Sequence, residues 1–96
     1  ANKMKRSEIT KIFKALGNER RFLIVKYVLD RKELTVSQIS ELINLSFKST
    51  SRHLSVLKNA NLVVSRQTDL NNFYSINNEY IKDFIKFFNT SDSHKT

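Results

Sequence analysis

The sequence contains no cysteine, no proline and no tryptophan, and a single glycine in 96 residues. Without cysteine there are no disulfides, no thiolate metal ligands and no thiol redox switch, although the absence fits any compartment. Without proline, and with Gly17 the one glycine, backbone breakers are nearly missing. Most of the chain can therefore be helical wherever its hydrophobic period agrees. Long apolar runs are absent too. Nothing approaches the roughly 20 residues of a membrane span, and the opening Ala-Asn-Lys-Met-Lys-Arg leads into no apolar stretch of the signal-peptide kind. A soluble, cytoplasmic protein with no membrane partner is expected. Acidic residues are scarce: nine Asp and Glu face seventeen Lys and Arg, a formal charge of +8. On a small chain such an excess favours nucleic acid or an anionic surface as partner. Imidazole comes only from His53 and His94. With carboxylates scattered, there is neither a paired acid and base nor a Mg²⁺ cluster, so no enzymatic activity and no cofactor are expected.

What is present is helical periodicity. A first helix from about Ser7 to Leu16 places Ile9, Ile12, Phe13 and Leu16 on one face, and Gly17 is expected to end it in the left-handed conformation. Asn18 caps a second helix reaching about Leu29, with Phe22, Val25 and Leu29 on its inner stripe and Leu23, Ile24 and Val28 widening it. Thr35 and Gln38 have capping-box spacing before a short helix that turns Val36, Ile39, Leu42 and Ile43 inward and stops near Asn44. Ser46 caps a fourth helix, to about Ala60. Only residues 44–46 separate these last two, the length and polarity of a helix-turn-helix corner.

After Asn61, Leu-Val-Val-Ser-Arg-Gln and Asn-Phe-Tyr-Ser-Ile read as two strands around a polar turn, a wing. From Glu79 the helical period returns with Ile81, Phe84, Ile85 and Phe88. The fold class is mainly α with a small β-hairpin: a winged helix-turn-helix of four helices, two strands and a fifth helix, as one domain over residues 7–89. Residues 1–6 and 90–96 are expected to be flexible termini.

The fourth helix carries two opposite surfaces. Leu54 and Leu57, extended back by Phe47 and Thr50, form an apolar stripe, whereas Lys48, Ser49, Ser51, Arg52 and Ser55 present cations and hydroxyls. A helix dressed this way suits the DNA major groove: Lys48 and Arg52 can donate to guanine O6 and N7, and Ser49, Thr50 and Ser51 offer hydroxyls to bases or phosphates. Arg52 is the first choice for direct readout, against a solvated cation or a partner for Glu41. For Phe47, core packing is preferred to contact with a thymine methyl. In the wing, Arg66 and Gln67 are candidates for phosphates or the minor groove, with Asp69 at a tip held off the backbone. Arg20, Arg21 and Lys26 are divided between phosphate contacts and ordinary surface pairs with Glu19 and Asp30.

Two stretches carry a resemblance. Lys-Ala-Leu-Gly-Asn-Glu-Arg-Arg-Phe-Leu-Ile-Val from Lys14 and Ser-Thr-Ser-Arg-His-Leu-Ser-Val-Leu-Lys-Asn-Ala-Asn-Leu-Val from Ser49 resemble the two signatures of the ArsR/SmtB family of winged-helix regulators. The resemblance implies a dimeric DNA-binding repressor whose recognition helix is the fourth, with His53 belonging to its DNA-binding surface and Tyr74 to the second wing strand. It also implies where metal sensors would carry cysteines, and those two positions hold Thr35 and Ser37. Hydroxyls are poor ligands for soft metals. The last helix has Glu79 and Asp83 but no histidine, so no metal is expected. Asn61 stands where the family usually has glycine, and Asn tolerates positive φ.

The first and last helices are too aromatic for a small monomer, which points to a homodimer through Ile9, Phe13, Tyr80, Phe84, Phe87 and Phe88. Such a dimer presents two recognition helices to successive major grooves of an inverted repeat. The alternative is a winged-helix module for protein assembly working through the aromatic C-terminal helix.

Overall fold

A computed structural model describes residues 4–89. The order is α1 (Arg6–Leu16), α2 (Glu19–Arg31), β1 (Leu34–Thr35), α3 (Val36–Ile43), α4 (Phe47–Asn59), β2 (Val63–Gln67), β3 (Asn72–Ile76) and α5 (Asn78–Asn89). The winged helix-turn-helix is present, with one addition: β1 joins the hairpin as a third strand in the order β1-β3-β2. Leu34 pairs with Tyr74 and Thr35 with Phe73, antiparallel. Two residues make too short a run for periodicity to reveal.

Local chemistry starts the helices as expected. Asn18 Oδ1 accepts from the Arg21 amide at 3.1 Å, Thr35 and Gln38 form the reciprocal capping box, and Ser46 Oγ accepts from the Ser49 amide at 3.1 Å. Each satisfies an N-terminal amide that the helix itself leaves unpaired. At the N-terminus, Lys5 donates its amide to Glu8 at 2.7 Å and Met4 packs against the core. The tail at 90–96 lies outside the described residues.

Gly17 departs from expectation. Its φ is −78°, not left-handed; its small size is what counts, since a Cβ there would stand 3.2 Å from the Phe13 carbonyl oxygen. Positive φ falls instead to Lys32, Asn44 and Asn61. Asn44 ends α3 at φ 55° and ψ 56°, with its amide bonded back to the helix, and this left-handed residue bends the chain into the corner.

The core unites Ile12, Ile24, Val28, Ile39, Leu54, Leu57, Leu62 and Val63, with Tyr74 and Ile76 from β3. In α2 the inward stripe is Ile24 and Val28, whereas Phe22 and Leu29 are half exposed or more. Arg21, three residues before Ile24 and seven before Val28, shares that inward face and reaches α1 from it, while Phe22 and Leu29 lie round the helix toward solvent. Phe47 is likewise corrected. It is 57% exposed, and Leu45 from the corner packs against the core instead.

Thr50 is fully buried and its hydroxyl has no hydrogen-bond partner among the described residues. It belongs to the α4 docking stripe and not to the DNA candidates among which the sequence placed it. A buried orphan hydroxyl costs stability, so Thr50→Val should leave stability unchanged or raise it by up to about 1 kcal/mol in urea unfolding. DNA affinity should not change. A loss of affinity with stability retained would return Thr50 to the interface.

Candidate nucleic-acid interface

The interface begins with how α4 is held. Thr50, Leu54 and Leu57 bury one face, and at the far end Lys58 Nζ donates to Ser65 Oγ of β2 at 2.8 Å. The opposite face keeps Lys48 and Arg52 exposed, and neither has an ion-pair or hydrogen-bond partner among the described residues. The surface pair with Glu41 is not formed. Ser49 and Ser51 are half-buried beside them. Two cations, two hydroxyls and exposed Phe47 thus share the first two turns of one rigid helix.

His53 has a different place. Arg21 Nη1 lies 3.2 Å from His53 Nδ1. A guanidinium only donates, so Nδ1 accepts and the ring is neutral with its proton on Nε2. Arg21 Nε also donates to the Ala15 carbonyl at 2.6 Å, one of the acceptors that the end of α1 leaves unpaired. Neither surface pair expected of Arg21 forms: Asp30 pairs with Arg31 at 3.4 Å. Arg21 therefore ties α1 and α2 to the recognition helix, a role that composition and spacing did not reveal. The available signal was that Arg21 and His53 each fall inside one of the two stretches carrying the family resemblance.

In the wing, Arg66 is exposed yet engaged. Its Nε and Nη2 donate to Glu33 at 3.0 to 3.3 Å, and its guanidinium lies 4.7 Å from the centre of the Phe73 ring, its cross-strand neighbour. Gln67 is exposed at the end of β2. At the turn, Thr68 and Asn71 bond to each other, and Leu70 projects at 90% exposure beside Asp69. Tyr74 is buried in the core.

A second exposed surface is aromatic. Phe13, Phe84 and Phe88 form an edge-to-face cluster with centroids 5.2 to 6.2 Å apart, extended by Phe87, and no residue of α5 is fully buried. Ile9, expected on this face, is taken up within the protomer at 6% exposure, while Tyr80, like Phe84, is half-buried and packs against the core.

The metal-sensor positions do not fit a metal. Thr35 Oγ1 is committed to capping α3, Ser37 offers only a hydroxyl, and among the described residues no three His, Cys, Asp or Glu side chains gather where they could hold an ion. His94 lies outside the described residues. No described helix is long and apolar enough to cross a membrane.

Burial, and then the charges of Arg21 and Arg20, lower the His53 pKa below the ordinary histidine value. As pH falls through about 6.5 the unfolded chain takes up this proton first. It then binds more protons than the native state, so the His53 contribution to stability, complete above that pH, declines as pH drops toward the lower native pKa. His53→Gln removes the titration and keeps an acceptor for Arg21. Urea midpoints compared between about pH 7.5 and 5.5 should fall further in the parent than in the variant; parallel curves would remove His53 from the account.

A sequence model of the family described as "Bacterial regulatory protein, arsR family" matches residues 18–65. An uncharacterized HTH-type transcriptional regulator of Methanocaldococcus jannaschii is 32% identical over 82 residues, covering 85% of this chain and 92% of that one. HlyU of Vibrio cholerae, a transcriptional activator, is 35% identical over 75 residues, 78% of this chain and 68% of its own. Its solved structure superimposes with a TM-score of 0.74 at 31% identity, covering 86% of this chain and 89% of that one. The transcriptional repressor PagR of Bacillus anthracis is 32% identical over 78 residues, 81% of this chain and 78% of its own; its structure gives a TM-score of 0.70 at 26% identity, with 85% and 93% covered. The recognition helix, the corner and the first wing strand lie almost wholly inside the matched segment, and the chain belongs to the ArsR family of winged helix-turn-helix, DNA-binding transcriptional regulators.

Proposed function

We propose that the protein is a cytoplasmic, homodimeric repressor that occupies an inverted-repeat operator, with Lys48, Ser49, Ser51 and Arg52 of α4 in the major groove. The observation that carries this reading is that Lys48 and Arg52 are exposed, with no partner among the described residues, on a helix whose other face is locked into the core. Unpaired cations on a fixed frame reach guanine or phosphate without first breaking a bond of their own. Phe47 adds an apolar contact for a thymine methyl. Arg66 and Gln67 serve the wing, and His53 positions the helix through Arg21. Related chains include an activator and a repressor. Repression is the simpler assignment, because blocking a promoter needs no surface beyond the DNA interface.

The dimer forms through the aromatic cluster. Phe13 and Phe88 are each more than half exposed, although they already stack on one another, and a second copy gives these rings the apolar cover that the protomer lacks. The same cluster is the one observation favouring a protein-assembly module instead. No metal is needed for either reading.

Titration onto the protein's own promoter and onto scrambled DNA, at several salt concentrations, tests the proposal. A specific complex at least about a thousandfold tighter than the control, with two chains per site, is expected. Arg52→Ala should cost roughly ten- to a hundredfold at the operator and much less on scrambled DNA, whereas Lys48→Ala should lower the salt slope by about one if it meets phosphate. Equal, steeply salt-dependent binding to both DNAs would mean that charge alone explains the affinity. Phe88→Asp, at an exposed position, should yield a folded monomer in sedimentation and abolish two-chain complexes; a dimer that persists would move the interface elsewhere.

A further inference from the structure

A cleft of about 270 Å³ opens between α1, α2 and the C-terminal half of α4. Val56 is its exposed apolar residue, over a floor that includes the nearly buried Ala15 and Ala60; Lys11, Lys14, Arg21 and Asn59 also line it, and none of its lining residues is acidic. An opening with three cations and no carboxylate favours an anion. The apolar patch adds a second criterion, because a strongly hydrated inorganic anion gains nothing from it. A small organic carboxylate with an alkyl or aryl body satisfies both.

Arg21 makes the cleft more than a basic dent. Two of its three guanidinium nitrogens are fixed, Nε on the Ala15 carbonyl and Nη1 on His53, and Nη2 has no hydrogen-bond partner among the described residues. The planar group is thus pre-oriented, with donors to spare at the edge of the cleft, the arrangement that binds a carboxylate with two parallel hydrogen bonds. Such a pair engages both terminal nitrogens, so Nη1, which has two N–H groups, is shared between the ligand and His53, and the pull of the carboxylate on the guanidinium perturbs the His53 bond. The helical repeat puts Lys11 and Lys14 on the flank of α1 opposite Phe13, across the buried face of Ile12 and Ala15. Pairing of the aromatic cluster with a second copy therefore leaves this flank of α1 open.

We propose that the cleft is a binding site for a small amphipathic carboxylate, and that Arg21 reports its occupancy to the recognition helix through its bond to His53. The regulatory half rests on the DNA-binding reading above; the binding half does not. Linkage makes the coupling reciprocal: a carboxylate that weakens DNA binding is itself released by DNA to the same degree.

Sodium octanoate is the probe, with 1-octanol and sodium phosphate at matched ionic strength as controls, and amide and imidazole ¹⁵N spectra of the full chain without DNA as the readout. Octanoate should give saturable shifts at Lys14, Ala15, Arg21, Val56 and Asn59, together with a shift of the His53 Nδ1 resonance as the bond from Arg21 is perturbed. Neither control should reproduce this pattern. Lys11→Glu/Lys14→Glu, at exposed positions, should weaken octanoate about tenfold. His53→Gln should keep octanoate binding. On the promoter, octanoate should lower the affinity of the parent by fivefold or more, and that of the double Lys variant far less. Equal shifts with octanol, shifts centred on Phe84 and Phe88, or an absence of saturation would overturn the site. Cleft shifts with a stationary His53 resonance would overturn the coupling. Because these spectra contain no DNA, failure of the promoter titration alone would count against the repressor assignment and not against the cleft.

Discussion

The architecture turns on one guanidinium. Arg21 reaches from the first turn of α2 to an unpaired carbonyl at the end of α1 and to a ring on α4, and those bonds join the three helices at one point. On the same helix Ile24 and Val28 enter the core and Phe22 and Leu29 face out. The energetic logic is that of partly buried polar groups: hydrogen bonds are directional, so a guanidinium that meets a carbonyl and a ring nitrogen adds a geometric requirement that apolar contact alone does not.

That constraint separates what the sequence discloses from what it conceals. The caps at Asn18, Thr35 and Ser46 are legible because a cap is a bargain between residues three apart, complete within a few letters of the chain. The corner and the hairpin are legible for the same reason. The inner face of α2 is not, since two apolar stripes compete along it and Arg21, which shares the buried one, has its partner 32 positions away. Strand β1 owes its existence to β3 across the sheet rather than to any pattern in Leu34 and Thr35. Thr50 is ambiguous in isolation, because a threonine suits a core and a groove equally well; only the packing of α4 decides.

Of the candidate site, the exposed cations of α4 were readable from one amphipathic period. The roles of His53 and Arg66 were not, each being defined by a partner distant in sequence, Arg21 for one and Glu33 for the other. Of the residues expected at the dimer surface, Phe13, Phe84, Phe87 and Phe88 form one cluster, Tyr80 is half-buried, and Ile9 is absorbed into the protomer. A helical wheel shows which residues share a face but not how far the neighbouring helix covers it.

The Glu33 carboxylate beneath Arg66 bears on how any polyanion is met at the wing. A lysine that neutralises a phosphate frees the cations condensed on the nucleic acid, so each such contact registers in the response to added salt. Arg66 has its counter-charge in the chain itself, and its guanidinium lies against Phe73. Were it to exchange Glu33 for phosphate, the freed carboxylate beside the backbone would offset the neutralisation and keep cations there. A wing contact made through Arg66 would thereby be muted in the thermodynamics, counting for less in the salt response than one made by a lysine without a partner.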